Sequence, residues 1–121
     1  MERKFDLGER LISFAVSAID ISEALPKTFA GNHIAGQLVR SGTSPALNYG
    51  EAQSAESRND FIHKMKVSAK ELRETYNCLK IIKKKNWYPE IKLLPILDEN
   101  NQLISIFVKS IETARKNNAA K

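Results

Sequence analysis

The chain has 121 residues, of which 42% are hydrophobic and 27% charged, and its formal net charge is +5. No apolar run approaches the ~20 residues that span a bilayer, and the first residues do not resemble a signal peptide. The single cysteine, Cys78, excludes an internal disulfide and a cysteine-based zinc site and fits a reducing cytoplasm. We therefore expect one cytoplasmic domain over residues 1–121.

Apolar residues in the first segment recur in alternating steps of four and three residues, which is helical spacing. Pro26 follows this row and disfavours helical backbone in the residue before it. The spacing predicts a first helix over about 5–25. Its core row is Leu7, Leu11, Phe14, Ala18, Ile21 and Leu25.

The second segment keeps this period through Ser41, Gly42, Thr43, Ser44 and Pro45, which usually interrupt helices. A loop need not keep helical register. We therefore predict a helix over about 32–55, kinked near Pro45, rather than a loop. The row that continues through the segment is Ile34, Leu38, Ser41, Pro45, Asn48 and Ala52.

The third segment predicts a helix over about 58–85, with Ser57 as its N-cap and a lysine run favourable at its C-terminal end. Its core row is Phe61, Met65, Ser68, Leu72, Thr75, Leu79 and Ile82.

The fourth segment predicts a helix over about 90–116. Pro95 must either kink this helix or begin its main part. Two rows of residues lie at helical spacing: Leu97, Asn101, Ile104, Val108 and Ile111, flanked by Ile96, Leu103, Phe107, Ser110 and Ala114. Because the links are short and strand alternation is missing, we predict an all-α, antiparallel up-down-up-down four-helix bundle.

Positive charge is concentrated in residues 57–86, which carry nine basic and three acidic side chains. With the apolar row of the third helix in the core, an opposite row containing His63 and Asn77 faces away. We call its five cations the basic face: Lys66, Lys70, Arg73, Lys80 and Lys84. Such a face can follow a phosphate backbone, or it can simply be solvated, with Glu71 and Glu74 near enough to neutralise part of it. It offers no aromatic platform for stacking bases.

Asn48 lies on the core row of the second helix, where a buried amide needs a partner. Arg40 lies beside that row and can reach Glu71 or Glu74 on the third helix. We interpret these four residues as an inter-helix or inter-subunit polar network rather than a catalytic site. If the network joins subunits, Arg40→Ala should give smaller oligomers.

Candidates for catalysis or metal binding are weak. His33 and His63 have no Glu-x-x-His arrangement around them, and Gly31 and Gly36 do not form a phosphate loop. Cys78 lies at the edge of the core row and is interpreted as a small apolar filler. We expect no enzymatic activity, no metal and no cofactor.

Three stretches, "QLVRSGTSPALNYGEA", "SRNDFIHKMKVSAKE" and "KELRET", closely resemble the 23S rRNA-intervening-sequence protein family, also called S23 ribosomal proteins. The resemblance covers nearly the whole chain. The fourth helix matches in general character through "ILDENNQLISIFVKSIETARK", and Pro95 departs from the family pattern.

This resemblance implies a small bacterial four-helix bundle that assembles as a ring-like homopentamer. Some members are encoded within insertions in large-subunit ribosomal RNA genes. Related proteins assist the reverse transcriptases of diversity-generating retroelements, where they contact nucleic acid and the enzyme. We expect an oligomeric scaffold whose basic face binds structured RNA or a nucleic-acid enzyme, and no membrane partner. The alternative is a purely structural or protein-interaction homo-oligomer.

Overall fold

The computed structural model describes residues 6–119, and side chains through residue 117. Consecutive helices pack against each other along their length, and α1 also approaches α4 over a shorter stretch. The fold is therefore all-α with four helices packed antiparallel up-down, as predicted. The predicted start of the first helix at residue 5 lies outside the described residues. The helices are α1 (Leu7–Glu23), α2 (Phe29–Gln53), α3 (Arg58–Lys85) and α4 (Glu90–Ala119).

Short polar side chains begin the first three helices. Each accepts a hydrogen bond from a backbone N–H in the first turn, a group that the helix itself leaves without a partner. The predicted N-cap role of Ser57 is confirmed. The three caps are Asp6 with Glu9 at 3.1 Å, Thr28 with Gly31 at 3.0 Å, and Ser57 with Asp60 at 3.0 Å.

The C-terminal end of α3 is closed by Asn86, which adopts a left-handed conformation with φ 58° and ψ 37°. Its N–H donates to the carbonyl of Lys83, and the N–H of Trp87 donates to the carbonyl of Ile82, both at 3.1 Å. Asparagine tolerates this conformation better than most residues because its short polar side chain can bond locally. The lysine run before it lies at the negative end of the helix dipole.

Helix α2 runs without interruption through Pro45, which confirms a helix rather than a loop. The side chains of residues 41–45 are small because α1 lies against this part of α2. A Cβ built at Gly42 would lie only 2.5 Å from the Cβ of Ala18 on α1. Pro45 itself is buried. The bend expected at Pro45 stays a prediction.

Helix α4 begins at Glu90, so Pro95 lies inside it rather than at its start. The predicted core position of Asn101 is wrong, because Asn101 is exposed and the preceding Asn100 is fully buried. The large side chains of Leu103 and Phe107, which sequence assigned to the flanking row, point fully into the core and set the rotation of the helix.

The predicted apolar row of α1 is confirmed, since all its members are buried. On α3, Leu72, Leu79 and Ile82 are completely buried, and burying each such side chain stabilises the fold by about 1.5–3 kcal/mol.

An ion pair joins α1 and α4, which contact each other over a shorter stretch than consecutive helices do. Arg10 on α1 donates from Nε and Nη2 to the carboxylate of Glu99 on α4, at 2.9 and 2.6 Å. Across the described residues, no helix is long and apolar enough to cross a membrane.

Candidate nucleic-acid interface

The basic face lies on the side of α3 that points away from the core, and every one of its five cations is exposed. His63 and Asn77, in the same row, are also exposed. The row stays on one side because its residues recur at helical spacing opposite the buried row containing Met65, Leu72 and Leu79. From Lys66 to Lys84 the cations extend over roughly 27 Å of helix.

The cations of the basic face form no ion pair within the described part of the chain. The ion pairs found among residues 6–117 use other cations, namely Arg10, Arg40, Lys64 and Lys83. The ammonium of Lys80 lies 5.6 Å from the centre of the Tyr76 ring, a cation–π contact that leaves its charge in place. The basic face thus presents five exposed cations that take part in none of these ion pairs.

Glu71 and Glu74, which sequence placed near enough to neutralise part of the basic face, turn instead to α2. Arg40 donates from Nη1 to Glu71 at 2.9 Å and from Nη2 to Glu74. It also donates to Gln37 at 3.0 Å. The structure therefore brings three of the four residues of the expected network together within one chain. The side chain of Arg40 is 50% exposed, so this cluster lies at the surface.

Asn48 does not join that cluster. Its Nδ2 donates to the Oγ of Ser44 within α2, at 2.8 Å. Because Asn48 is only partly buried, a bond to its own helix is enough to hold its amide.

A groove between α3 and α4 borders the basic face. It has a volume of about 250 Å³ and is lined by Lys66, Ala69, Lys70 and Arg73 of α3 and by Val108, Ile111, Glu112 and Arg115 of α4. Arg115 adds a cation that sequence reasoning missed, because its proximity to the basic face depends on how α3 and α4 pack. Glu112 is the one acidic residue in this lining. The signal in the sequence is the spacing of Glu112 and Arg115, four residues after Val108 and Ile111, which places them on the same side of α4.

Two buried polar contacts in the bundle also join helices. The hydroxyls of Ser41 on α2 and Thr75 on α3 are hydrogen-bonded at 2.9 Å, and both residues are fully buried. Asn100 on α4 donates from Nδ2 to the main-chain carbonyl of Leu72 at 3.0 Å. Sequence placed Ser41 and Thr75 on core rows without pairing them, and it missed Asn100.

Cys78 is buried, in agreement with the role of an apolar filler. Burial raises the pKa of its thiol, the negative charge of Glu74 raises it further, and the positive charge of Arg40 opposes both. A raised pKa leaves less thiolate, which is the reactive form. His33 and His63 are exposed. Among the described residues, no three His, Cys, Asp or Glu side chains are grouped so that they could hold a metal ion.

Comparisons with known proteins identify one family. The family model of the 23S rRNA-intervening sequence protein matches residues 3–109. A crystal structure of a protein with unknown function from the S23 ribosomal protein family of Bacteroides thetaiotaomicron is similar to this chain, with a TM-score of 0.80 and 27% sequence identity. The match covers 88% of this chain and 98% of the other. A comparison with curated proteins finds no match. The chain belongs to the 23S rRNA-intervening sequence protein family.

Proposed function

We propose that this protein is a non-enzymatic, cytoplasmic homo-oligomeric scaffold that binds structured RNA through the phosphate backbone. The observation that carries the proposal is the basic face of α3, whose five exposed cations take part in none of the ion pairs of the described residues. A surface cation without a counter-charge in the protein is available to release the counterions of a phosphate chain.

The contacts expected at this face are with phosphates rather than bases. Lysine and arginine side chains on one helix face position a nucleic acid without reading its sequence. Tyr76, the aromatic residue beside the face, is partly buried and covered by Lys80. Arg115 continues the positive surface across the groove onto α4. RNA would therefore lie along the α3–α4 seam, recognised by its shape and charge.

Self-association would repeat the basic face in one particle and raise its avidity. The family resemblance implies five subunits. Support for subunit contacts comes from large apolar side chains that the single chain leaves exposed, including Ile12 and Val16 of α1 and Leu47 of α2, which is 69% exposed. Association would remove these side chains from water.

The resemblance also implies a second kind of partner for the same face, an enzyme or ribosomal protein that acts on nucleic acid, such as a reverse transcriptase. Such a partner would have to offer an acidic surface to the basic face. Direct binding of protein-free RNA separates the RNA proposal from this alternative.

A second candidate function is a structural or protein-interaction homo-oligomer that binds no nucleic acid. The observation that favours it is again apolar exposure, since Phe29 is 92% exposed and Ile91 82% exposed. Under this alternative the basic face is solvated and serves solubility.

The test measures binding of a fluorescently labelled RNA hairpin by anisotropy across a series of salt concentrations. We expect binding at low salt that weakens steeply as salt rises. In a plot of log affinity against log salt concentration, each neutralised phosphate steepens the slope by about 0.7–0.9. The triple variant Lys66→Glu, Arg73→Glu, Lys80→Glu should lose binding while its circular dichroism stays helical.

The matched control is Lys27→Glu, Lys92→Glu, Lys109→Glu, which changes the net charge equally at exposed lysines outside the basic face. It should retain most of the binding. If both triple variants bind alike, the basic face has no specific role, and if the unaltered protein does not bind, the structural alternative holds.

A further inference from the structure

A pocket lies where α3 begins, between the first turn of α3 and the last turns of α4. Its volume is about 410 Å³, within the range typical of small-molecule sites. The lining is Arg58 and Phe61 from α3 and Ser110, Thr113, Ala114 and Asn117 from α4. Arg58 is the one charged residue among these lining residues, and neither the basic face nor the polar cluster of Arg40 explains it.

Arg58 occupies an electrostatically unfavourable position. It is the first residue of α3, directly after the Ser57 cap, and a cation there faces the positive end of the helix dipole. Its Nη1 atom is buried and has no hydrogen-bond partner. A buried donor without an acceptor costs stability, and more so when it belongs to a charged group. No ion pair among the described residues involves Arg58. The described part of the chain thus supplies no negative charge to Arg58.

We propose that this pocket binds a small organic acid, with its carboxylate on Arg58 and an apolar body against Phe61 and Ala114. A guanidinium pairs with a carboxylate through two parallel N–H···O bonds, and it is the side chain best suited to such an ion pair away from bulk water. The hydroxyls of Ser110 and Thr113 and the amide of Asn117 supply further donors around the pocket.

A single cation in the lining favours a monoanion over a phosphate ester, whose charge near −2 would remain partly uncompensated. The ring and methyl group beside the polar residues favour a ligand with an apolar part over a bare inorganic ion. This site shares no residue with the basic face or its groove. It therefore goes beyond the proposed RNA binding and does not depend on it.

The experiment compares benzoate, its neutral isostere benzamide, and acetate by saturation-transfer NMR and titration calorimetry on the full-length protein. Benzoate should bind saturably. Benzamide should bind at least about tenfold more weakly, since hydrogen bonds to a charged group contribute about 1.5–3 kcal/mol. Acetate should bind more weakly than benzoate because it lacks the apolar body.

Two variants locate the site. Arg58→Gln should weaken benzoate binding about tenfold or more by removing the ion pair, and Ala114→Leu should weaken it by filling the pocket while leaving Arg58 in place. Lys109→Gln is the matched control, because it removes one exposed cation from α4 that lines neither this pocket nor the groove beside the basic face. It should leave benzoate affinity unchanged.

The proposal is overturned if benzoate does not bind, if benzamide binds equally well, or if Arg58→Gln and Lys109→Gln have the same effect. Tighter binding of inorganic phosphate than of benzoate would overturn the choice of a carboxylate. Retained helical circular dichroism in Arg58→Gln shows that a loss of binding is not a loss of fold. RNA binding by the same preparations reports separately on the basic face.

Discussion

Asn100 on α4 donates a hydrogen bond of 3.0 Å to the main-chain carbonyl of Leu72 on α3, and neither residue is exposed to solvent. The Oδ1 atom of the same amide is buried without a hydrogen-bond partner. The amide is therefore only half satisfied. Its bond joins two particular residues of facing helices, so it specifies their register more than it stabilises the fold.

Replacing Asn100 by leucine, which has a similar branched shape, should leave the free energy of unfolding unchanged or raise it by about 1 kcal/mol, because the unpaired oxygen disappears. Urea denaturation followed by circular dichroism measures the change. Leu103→Ala serves as the reference and should cost about 2–5 kcal/mol through the cavity that it leaves. A loss above about 2 kcal/mol in Asn100→Leu would instead show that the amide is fully paired in solution.

Two glycines of α2 should respond to alanine in opposite directions. At Gly42 the new Cβ would lie 2.5 Å from the Cβ of Ala18, so the two helices must separate, at a cost of about 1–3 kcal/mol. At Gly36 nothing lies within 4 Å, and alanine should stabilise the helix by about 0.5–1 kcal/mol. Thermal and urea unfolding of the two variants should diverge, and equal effects would exclude the close approach of α1 and α2.

Much of the fold follows from the apolar period, because the period records which side of each helix is buried. The exception is α4, where two candidate rows overlap and differ by a small rotation. Whether Asn100 or Asn101 is buried depends on how the side chains of α4 fit against those of the facing helices. The spacing of residues within α4 alone does not contain that information. The continuity of α2 through Pro45 was predictable because a loop has no reason to keep register.

A double-mutant cycle tests the ion pair of Arg40 and Glu74. Because the Arg40 side chain is half exposed, the coupling energy of Arg40→Ala with Glu74→Ala should be only about 0.2–1 kcal/mol. Both carboxylates that Arg40 reaches belong to its own chain. We therefore expect the molar mass of Arg40→Ala in size-exclusion light scattering to be unchanged. A smaller mass would show that Arg40 also holds subunits together.

Cys78 should make stability depend on pH in the alkaline range. Its pKa is raised in the folded protein, chiefly by burial, so the unfolded chain loses the thiol proton first. The free energy of unfolding should therefore fall as pH rises above about 8.5, where an exposed thiol ionises. The fall should stop once the pH exceeds the folded pKa.

Other groups titrate in the same range, so the measurement is the difference between the protein and its Cys78→Ala variant at each pH. As pH rises, the free energy of unfolding of the unaltered protein should fall relative to that of Cys78→Ala. At neutral pH the thiol should react slowly with a disulfide reagent in the native protein and quickly in urea. Rapid labelling of the native protein, or a difference independent of pH, would contradict the burial of Cys78.

The candidate sites were less accessible to sequence reasoning than the fold. The basic face was predictable, because its cations share one helix and one period. Arg115 and the pocket of Arg58 combine residues of α3 and α4 that are about 50 positions apart in the chain, and their proximity depends on the register of those helices. The contact of Arg40 with Glu71 and Glu74 was predicted from helical spacing, whereas the bond of Asn48 to its own helix was not.

The buried hydroxyl pair of Ser41 and Thr75 limits how the bundle can misassemble. A nearly regular apolar repeat would allow α3 to slip along α2 by seven residues with little loss of burial. A slip in one direction would place Ile82 against Ser41 and strand a buried hydroxyl. A slip in the other would place Ser68 there and draw Glu71 and Glu74 about 10 Å away from Arg40. Each competing alignment thus loses a polar contact, which widens the energy gap between the native bundle and its misaligned forms.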